Sequence, residues 1–296
     1  MKSGFVPVVG RPNVGKSTLV NRLVGSKVAI TSSRPQTTRN AIRGVVTGPD
    51  PDRPEYQIVL VDTPGLHKPR GELGSRLNSL VYGTLSEADV VVFMVDATNP
   101  IGPGDRLIAE RLQAAKAGVI LAMNKVDSAG RAEVVEQLAT AGDWDFGAYV
   151  PLSAREGTGA EALIDEIVAR LPDGPMYYPA GTTTDQPESL VIAELIREKF
   201  LDRLRDELPH SLVVVVEEVE QRQDGLVDID ADVVVERDSQ KGIVIGKGGS
   251  MLEKAGTEAR HELETILGAR VNLRLHVKVE PDWQRKPQLL DRLGFE

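Results

Sequence analysis

The chain is 296 residues long, contains no cysteine and carries a formal net charge of −9. Without thiols it can build neither a disulfide framework nor a thiolate zinc site, and its acidic balance works against indiscriminate nucleic-acid binding. The length suits about two domains, and no apolar run approaches the ~20 residues that cross a bilayer.

Met1-Lys2-Ser3-Gly4 leads straight into an apolar segment and leaves no room for a signal peptide, so the expectation is a cytoplasmic protein. Residues 5–9, 41–46, 56–61, 90–95, 119–123 and 149–152 read as strands separated by amphipathic stretches, with a closing helix over 161–171. That alternation predicts an α/β domain, a mostly parallel sheet with helices on both faces, over residues 1–172. Pro7 is unexpected in a central strand, because proline cannot donate to a ladder. Residues 173–188 are rich in Pro, Gly and Thr and read as a linker. Residues 189–296 follow another order: a helix over 190–207, strands over 212–216 and 227–235, a short helical turn, a glycine loop, a helix over 251–267 and a strand over 271–279. This predicts a smaller α+β domain with a C-terminal tail.

Gly10-Arg11-Pro12-Asn13-Val14-Gly15-Lys16-Ser17 reads GxxxxGKS between a predicted strand and a helix that opens at Thr18. Backbone N–H groups and the positive helix end then cradle phosphates, Lys16 bridges the β- and γ-phosphates, and the Ser17 hydroxyl ligates Mg²⁺. Asp62-Thr63-Pro64-Gly65 ends a strand; the aspartate reaches the Mg²⁺ shell through water and the Gly65 N–H senses the γ-phosphate. Asn124-Lys125-Val126-Asp127 follows another strand. Its aspartate can accept from guanine N1–H and the exocyclic amine together, a pair adenine lacks, and Lys125 has a stem long enough to lie across the base. Ser153-Ala154-Arg155 would offer backbone N–H groups to guanine O6. Between the phosphate loop and the next strand, Thr37 or Thr38 would supply a further Mg²⁺ ligand, with Thr38 preferred; Arg39 reads as an electrostatic stabiliser or, in preference, as a solvated arginine of the same loop. Lys16, Thr38, Asp62 and Gly65 are the expected catalytic set. Asp96 reads as a loop cap, His67 as a bystander, and the acidic run 224–232 as the solvent face of a strand.

The words GRPNVGKST, PQTTR, DTPGL and NKVD resemble the translation-factor-like class of P-loop GTPases, and within it the Era family. The resemblance implies Mg²⁺-dependent GTP hydrolysis and a switch between nucleotide states. Leu66 stands where many such enzymes have a water-orienting glutamine, so unaided hydrolysis should be slow. Asn13 matches the asparagine that ligates K⁺ in some relatives, which raises K⁺ activation as a hypothesis.

Gly246-Lys247-Gly248-Gly249 is a GxxG loop preceded by Ile243-Val244-Ile245 and followed by a helix. Such a loop lets a single-stranded RNA backbone approach closely while unstacked bases face an apolar groove, here walled by Ile243, Ile245 and strand residues such as Val233. Lys241, Lys247 and Lys254 surround it. Arg270, Arg274 and Lys278 alternate on the last strand, and Arg285, Lys286 and Arg292 follow. A basic strip on an acidic body favours a chosen RNA site. This half resembles a type II KH domain, and the tail over 277–295 resembles the Era carboxyl terminus. The family as a whole implies a factor for 30S subunit assembly whose KH domain holds the 3′ end of small-subunit rRNA. The expected form is a monomer, and the family has also been linked to peripheral membrane contact. The rival reading is a nucleotide-gated RNA-binding scaffold with negligible hydrolysis.

Overall fold

The computed structural model describes residues 1–32, 34, 37–50, 53–66, 71–114, 118–201, 203–204 and 208–295. His67 and residues 205–207, the end of one predicted helix, lie outside them. The chain divides into two compact units. One comprises Met1–Ala29, Thr38–Pro69 and Leu77–Asp185; the other comprises Ile30–Thr37, Arg70–Arg76 and Gln186–Glu296.

The first unit is built on strands β1 (Lys2–Gly10), β2 (Ile42–Asp50), β3 (Arg53–Asp62), β4 (Val90–Asp96), β5 (Gly118–Asn124) and β6 (Ala148–Pro151). They form one sheet in the order β2-β3-β1-β4-β5-β6, antiparallel only between β2 and β3. The central strands are apolar on both faces because both faces are covered. Val8, Val92 and Ile120 point to helices α1 (Lys16–Val24) and α5 (Ala160–Arg170), meeting Leu19, Leu163 and Ile167. Val9, Val91 and Leu121 point the other way, to Val81 of α2 (Gly71–Ser86), Ile108 and Leu112 of α3 (Pro103–Gln113) and Ala141 of α4 (Arg131–Gly142).

Pro7 is accommodated by register. The N–H and C=O of Phe5 both bond Asp89, on the β4 side, and Pro7 faces the same way; pairing with β4 is registered only from Val8 onward. Strand β2 runs beyond its predicted end to Asp50, with a register irregularity at Gly48/Pro49, which an edge strand tolerates. The turn-rich stretch after α5 is bonded along this unit. Gln57 accepts from the N–H groups of Tyr177 and Tyr178 at 2.8 and 3.0 Å, and the Val45 N–H donates to the Thr183 carbonyl at 2.9 Å.

The second unit contains α6 (Glu188–Leu201), α7 (Leu208–Ser211), β7 (Val213–Gln221), β8 (Val227–Val235), α8 (Asp238–Ile245), α9 (Ser250–Leu267), β9 (Val271–Val279) and α10 (Pro287–Arg292). Its sheet runs β7-β8-β9, antiparallel then parallel. Ile229, Ala231 and Val233 of β8 turn inward against Ile192, Leu195 and Ile196 of α6 and Ala255, Ala259 and Leu263 of α9. Two details correct the sequence reading. The element before the glycine loop is an eight-residue helix rather than a short turn, because its polar first half, residues 238–242, hides the period. Val233 is fully buried in this core and cannot wall an RNA groove.

Candidate functional site

The phosphate loop leaves β1 at Gly10 and enters α1 at Lys16. Gly15 has φ +100°, and a Cβ there would lie 2.3 Å from Asn124 Nδ2, so only glycine fits this turn. The Lys16 side chain folds back over the loop, donating to the carbonyls of Arg11 at 3.0 Å and Gly10 at 3.4 Å. It is only 6 % exposed; burial pulls its ammonium down to about 8, against the opposing pull of Asp62. Arg11 is turned away to Asp105 at 3.1 Å.

Three oxygens converge beside Lys16. Ser17 Oγ donates to Asp62 Oδ2 at 2.6 Å, Thr38 Oγ1 donates to the same atom at 3.1 Å, and the two hydroxyls stand 3.0 Å apart. Thr37 instead turns its hydroxyl to the Arg34 carbonyl at 2.7 Å, and Arg39, expected to be solvated, is buried. Burial pushes the Asp62 carboxyl up, while Lys16 and the two hydroxyls hold it down, and its Oδ1 is buried with no hydrogen-bond partner among the described residues. A buried carboxylate oxygen left unmatched next to two hydroxyls is a hard-oxygen donor set, and it fits Mg²⁺ whose remaining ligands are phosphate and water. Among the described residues no group of three or more carboxylate, His or Cys side chains could hold a metal by itself.

Gly65 sits against the phosphate loop so closely that a Cβ would lie 2.7 Å from Pro12 N, and the Leu66 N–H donates to the Gly10 carbonyl at 3.1 Å. Thr63 Oγ1 donates to the Val8 carbonyl at 2.8 Å. The Leu66 side chain, 8 % exposed, belongs to the core with Val9 and Val81. It neither faces nor orients water.

On the base side, Asn124 donates to the Val14 carbonyl at 2.7 Å and accepts from the Ala154 N–H at 2.9 Å, tying three loops together. The Asp127 carboxylate accepts from Ser153 Oγ at 2.6 Å, Arg155 Nη2 at 2.7 Å and Ser128 Oγ at 2.8 Å; the Ser153 bond leads in holding its carboxyl below the usual range. Lys125, at φ +68°, extends to Asp96 Oδ2 at 2.6 Å. Asp96 therefore does more than the loop capping its sequence suggested: it accepts from Thr98 and also fixes the Lys125 ammonium.

In the second unit, Gly246 has φ +76° and Gly249 φ +85°, so the chain turns sharply between α8 and α9 and leaves Lys247 exposed. Ile243 is 55 % exposed and Ile245 half-buried. Behind the loop lies a groove of about 360 Å³ between α9 and β9, where Leu252, Gly256 and Arg260 on one helix face meet Leu273 and Leu275. The helical spacing 252, 256, 260 was the overlooked signal for this wall. Lys254 and Arg270 are exposed. The strip on β9 is not all available, because Arg274 pairs with both carboxylate oxygens of Asp230 at 2.5 Å and Lys278 pairs with Asp232. The acidic residues of β8 are thus partners of β9 rather than a bare solvent face; Asp228 and Asp232 are themselves buried.

Two family models match the chain in this order: a 50S ribosome-binding GTPase over residues 5–125 and a KH domain over 207–284. A GTPase Era of Mycobacterium tuberculosis (strain ATCC 25618 / H37Rv) is 53 % identical over 300 residues, covering 99 % of this chain and 98 % of its own length. That of Mycobacterium avium (strain 104) is 52 % identical with 99 % of both covered. Among solved structures, Era in complex with MgGDPNP and nucleotides 1506–1542 of 16S ribosomal RNA is similar with TM-score 0.95 and 38 % identity, covering 100 % of this chain and 99 % of its own. A single-residue variant of Aquifex aeolicus Era bound to GDP·AlF4⁻ is similar at 0.95 and 37 % over the same shares. With a guanine-type nucleotide site in one unit, a GxxG groove in the other and such identity across both, the chain belongs to the Era family of GTPases.

Proposed function

We propose that this GTPase acts in assembly of the small ribosomal subunit, holding the 3′ end of small-subunit rRNA in its KH groove and changing its grip with the nucleotide. The observation that carries the reading is the Ser17–Thr38–Asp62 cluster, because it includes a residue from the loop that a γ-phosphate would organise. The related Era structure with MgGDPNP and 16S rRNA nucleotides 1506–1542 supports the same ligands here.

With nucleotide bound, the loop amides and Lys16 would hold the β- and γ-phosphates, Ser17 and Thr38 would offer their hydroxyls to Mg²⁺, and Asp62 would support the metal through water. The metal, when bound, neutralises charge that develops on the transferred phosphoryl group. Asp127 selects guanine by accepting from its N1–H and amine, with Ser153 keeping the carboxylate ionised. Because Leu66 is core, water must be oriented by another group: backbone of the loop around Thr38, or a cation. We assign the cation option to K⁺ at Asn13. Turnover should then be faster in K⁺ than in Na⁺ buffer, and equal rates would remove the proposal.

As to surroundings, the proposal is a monomeric cytoplasmic chain with at most loose peripheral membrane contact; no helix among the described residues is long and apolar enough to cross a membrane. Crosslinking the chain to total RNA with a GTP analogue should capture the 3′ end of small-subunit rRNA. Phosphate release with and without small subunits separates this from a scaffold with negligible hydrolysis.

A further inference from the structure

Residues 30–37 precede the Mg²⁺-site threonine, yet they fold with the RNA-binding unit. Four contacts hold them to α6 and the residues that follow it. Ile30 is buried in the core formed by α6, α9 and the three-stranded sheet. The Thr31 N–H donates to Glu198 Oε1 at 2.9 Å, and Arg34 Nη2 donates to the Leu204 carbonyl at 2.9 Å. Arg197, with no exposed surface, donates to the Thr37 carbonyl, while its Nε and Nη2 also bond Glu194 at 2.8 and 2.7 Å.

The peptide group is planar, so an anchored Thr37 carbonyl also sets the plane of the Thr38 N–H and the direction in which Thr38 Cα leaves it. Thr38 is the residue whose hydroxyl stands with Ser17 and Asp62. We propose that Arg197 is a positioning residue for GTP binding and hydrolysis: by gripping the Thr37 carbonyl, it ties the placement of the Thr38 ligand to helix α6 of the RNA-binding unit. Helix α6 shares its core with α9, whose first residues follow the GxxG loop. An RNA-induced shift of α9 therefore has a packed route to α6 and to Arg197. A lysine at 197 would keep the charge but not the fork that serves Glu194 and Thr37 together. This inference rests on the nucleotide-switched RNA binding proposed above.

The test uses the full chain with Mg²⁺, GDP or a non-hydrolysable GTP analogue, and a single-stranded RNA oligonucleotide matching the 3′ end of small-subunit rRNA. Arg197→Met should weaken the analogue about tenfold, as expected for loss of a charged hydrogen bond. It should lower kcat, leave GDP affinity within about twofold, and abolish the ratio between RNA affinities in the two nucleotide states; Arg197→Lys should recover part of each loss. Unchanged analogue affinity and kcat in Arg197→Met would overturn the assignment. Should that variant fail to fold, Arg197→Lys decides alone: wild-type values for both quantities overturn it. If the wild-type chain itself binds RNA equally in both states, the switching proposal fails, whereas the effect of position 197 on analogue against GDP still reports on Thr38 placement.

Discussion

Lys16 and Leu66 show how burial sets chemistry at single positions. With its ammonium brought down to about 8 by burial, Lys16 in the folded chain loses its proton well below the usual lysine value of 10.5. Unfolded chain binds that proton more tightly, so between about 8 and 10.5 stability gains from this group as pH rises, while below about 8 the buried charge is a constant cost. Phosphate binding has the opposite sign, since it needs the cation. Nucleotide affinity should therefore fall as pH rises through about 8, with proton uptake on binding that calorimetry in buffers of different ionisation enthalpy would detect. Lys16→Met should remove the uptake along with most of the affinity. Leu66 poses a different question. Because its side chain lies in the core, Leu66→Gln should bury an amide rather than present it to water, destabilising the first unit by about 1–3 kcal/mol. Thermal melts and phosphate release should show a lower Tm and no gain in kcat.

At the level of elements, β8 and β9 divide the positive charge of the RNA-binding unit into two kinds. Parallel register sets Asp230 beside Arg274, and Asp232 lies within ion-pair reach of Lys278, so these β9 cations are already answered by their neighbour strand. Lys247 is exposed at the tip of the glycine turn, where a phosphate can approach. Lys247→Ala should weaken single-stranded RNA binding evenly across sequences and lower the salt slope by about 1. Arg274→Ala should do less in the same salt titration, since releasing Asp230 also changes the strand. Equal effects of the two substitutions would mean that β9 gives up its internal pairs to RNA. The groove belongs to this scale too: Leu273 and Leu275 alternate inward on β9, but as an edge strand it leaves them partly open beside Gly256 of α9.

For the whole molecule, nucleotide and RNA affinities must be linked reciprocally if one switches the other. RNA affinity should differ between the GDP and GTP-analogue states, and RNA should change the analogue-to-GDP affinity ratio by the same factor; equilibrium titrations in both directions check it. What could be read from the chain alone was the local chemistry. Gly10 to Ser17, Asp62 to Gly65, Asn124 to Asp127 and Gly246 to Gly249 are contiguous words whose loops depend on glycine conformations and neighbouring N–H groups, and the alternation of apolar runs announced the α/β sheet. Longer-range choices were not visible there. Leu66 belongs to the core, Val233 is buried, and Arg274 is taken up by Asp230. Nor did any local pattern announce that residues 30–37 fold with the RNA-binding unit, since their anchors at 197, 198 and 204 lie some 160 to 170 positions away. Such pairings follow from which surfaces a completed core brings together, and only tertiary structure decides that.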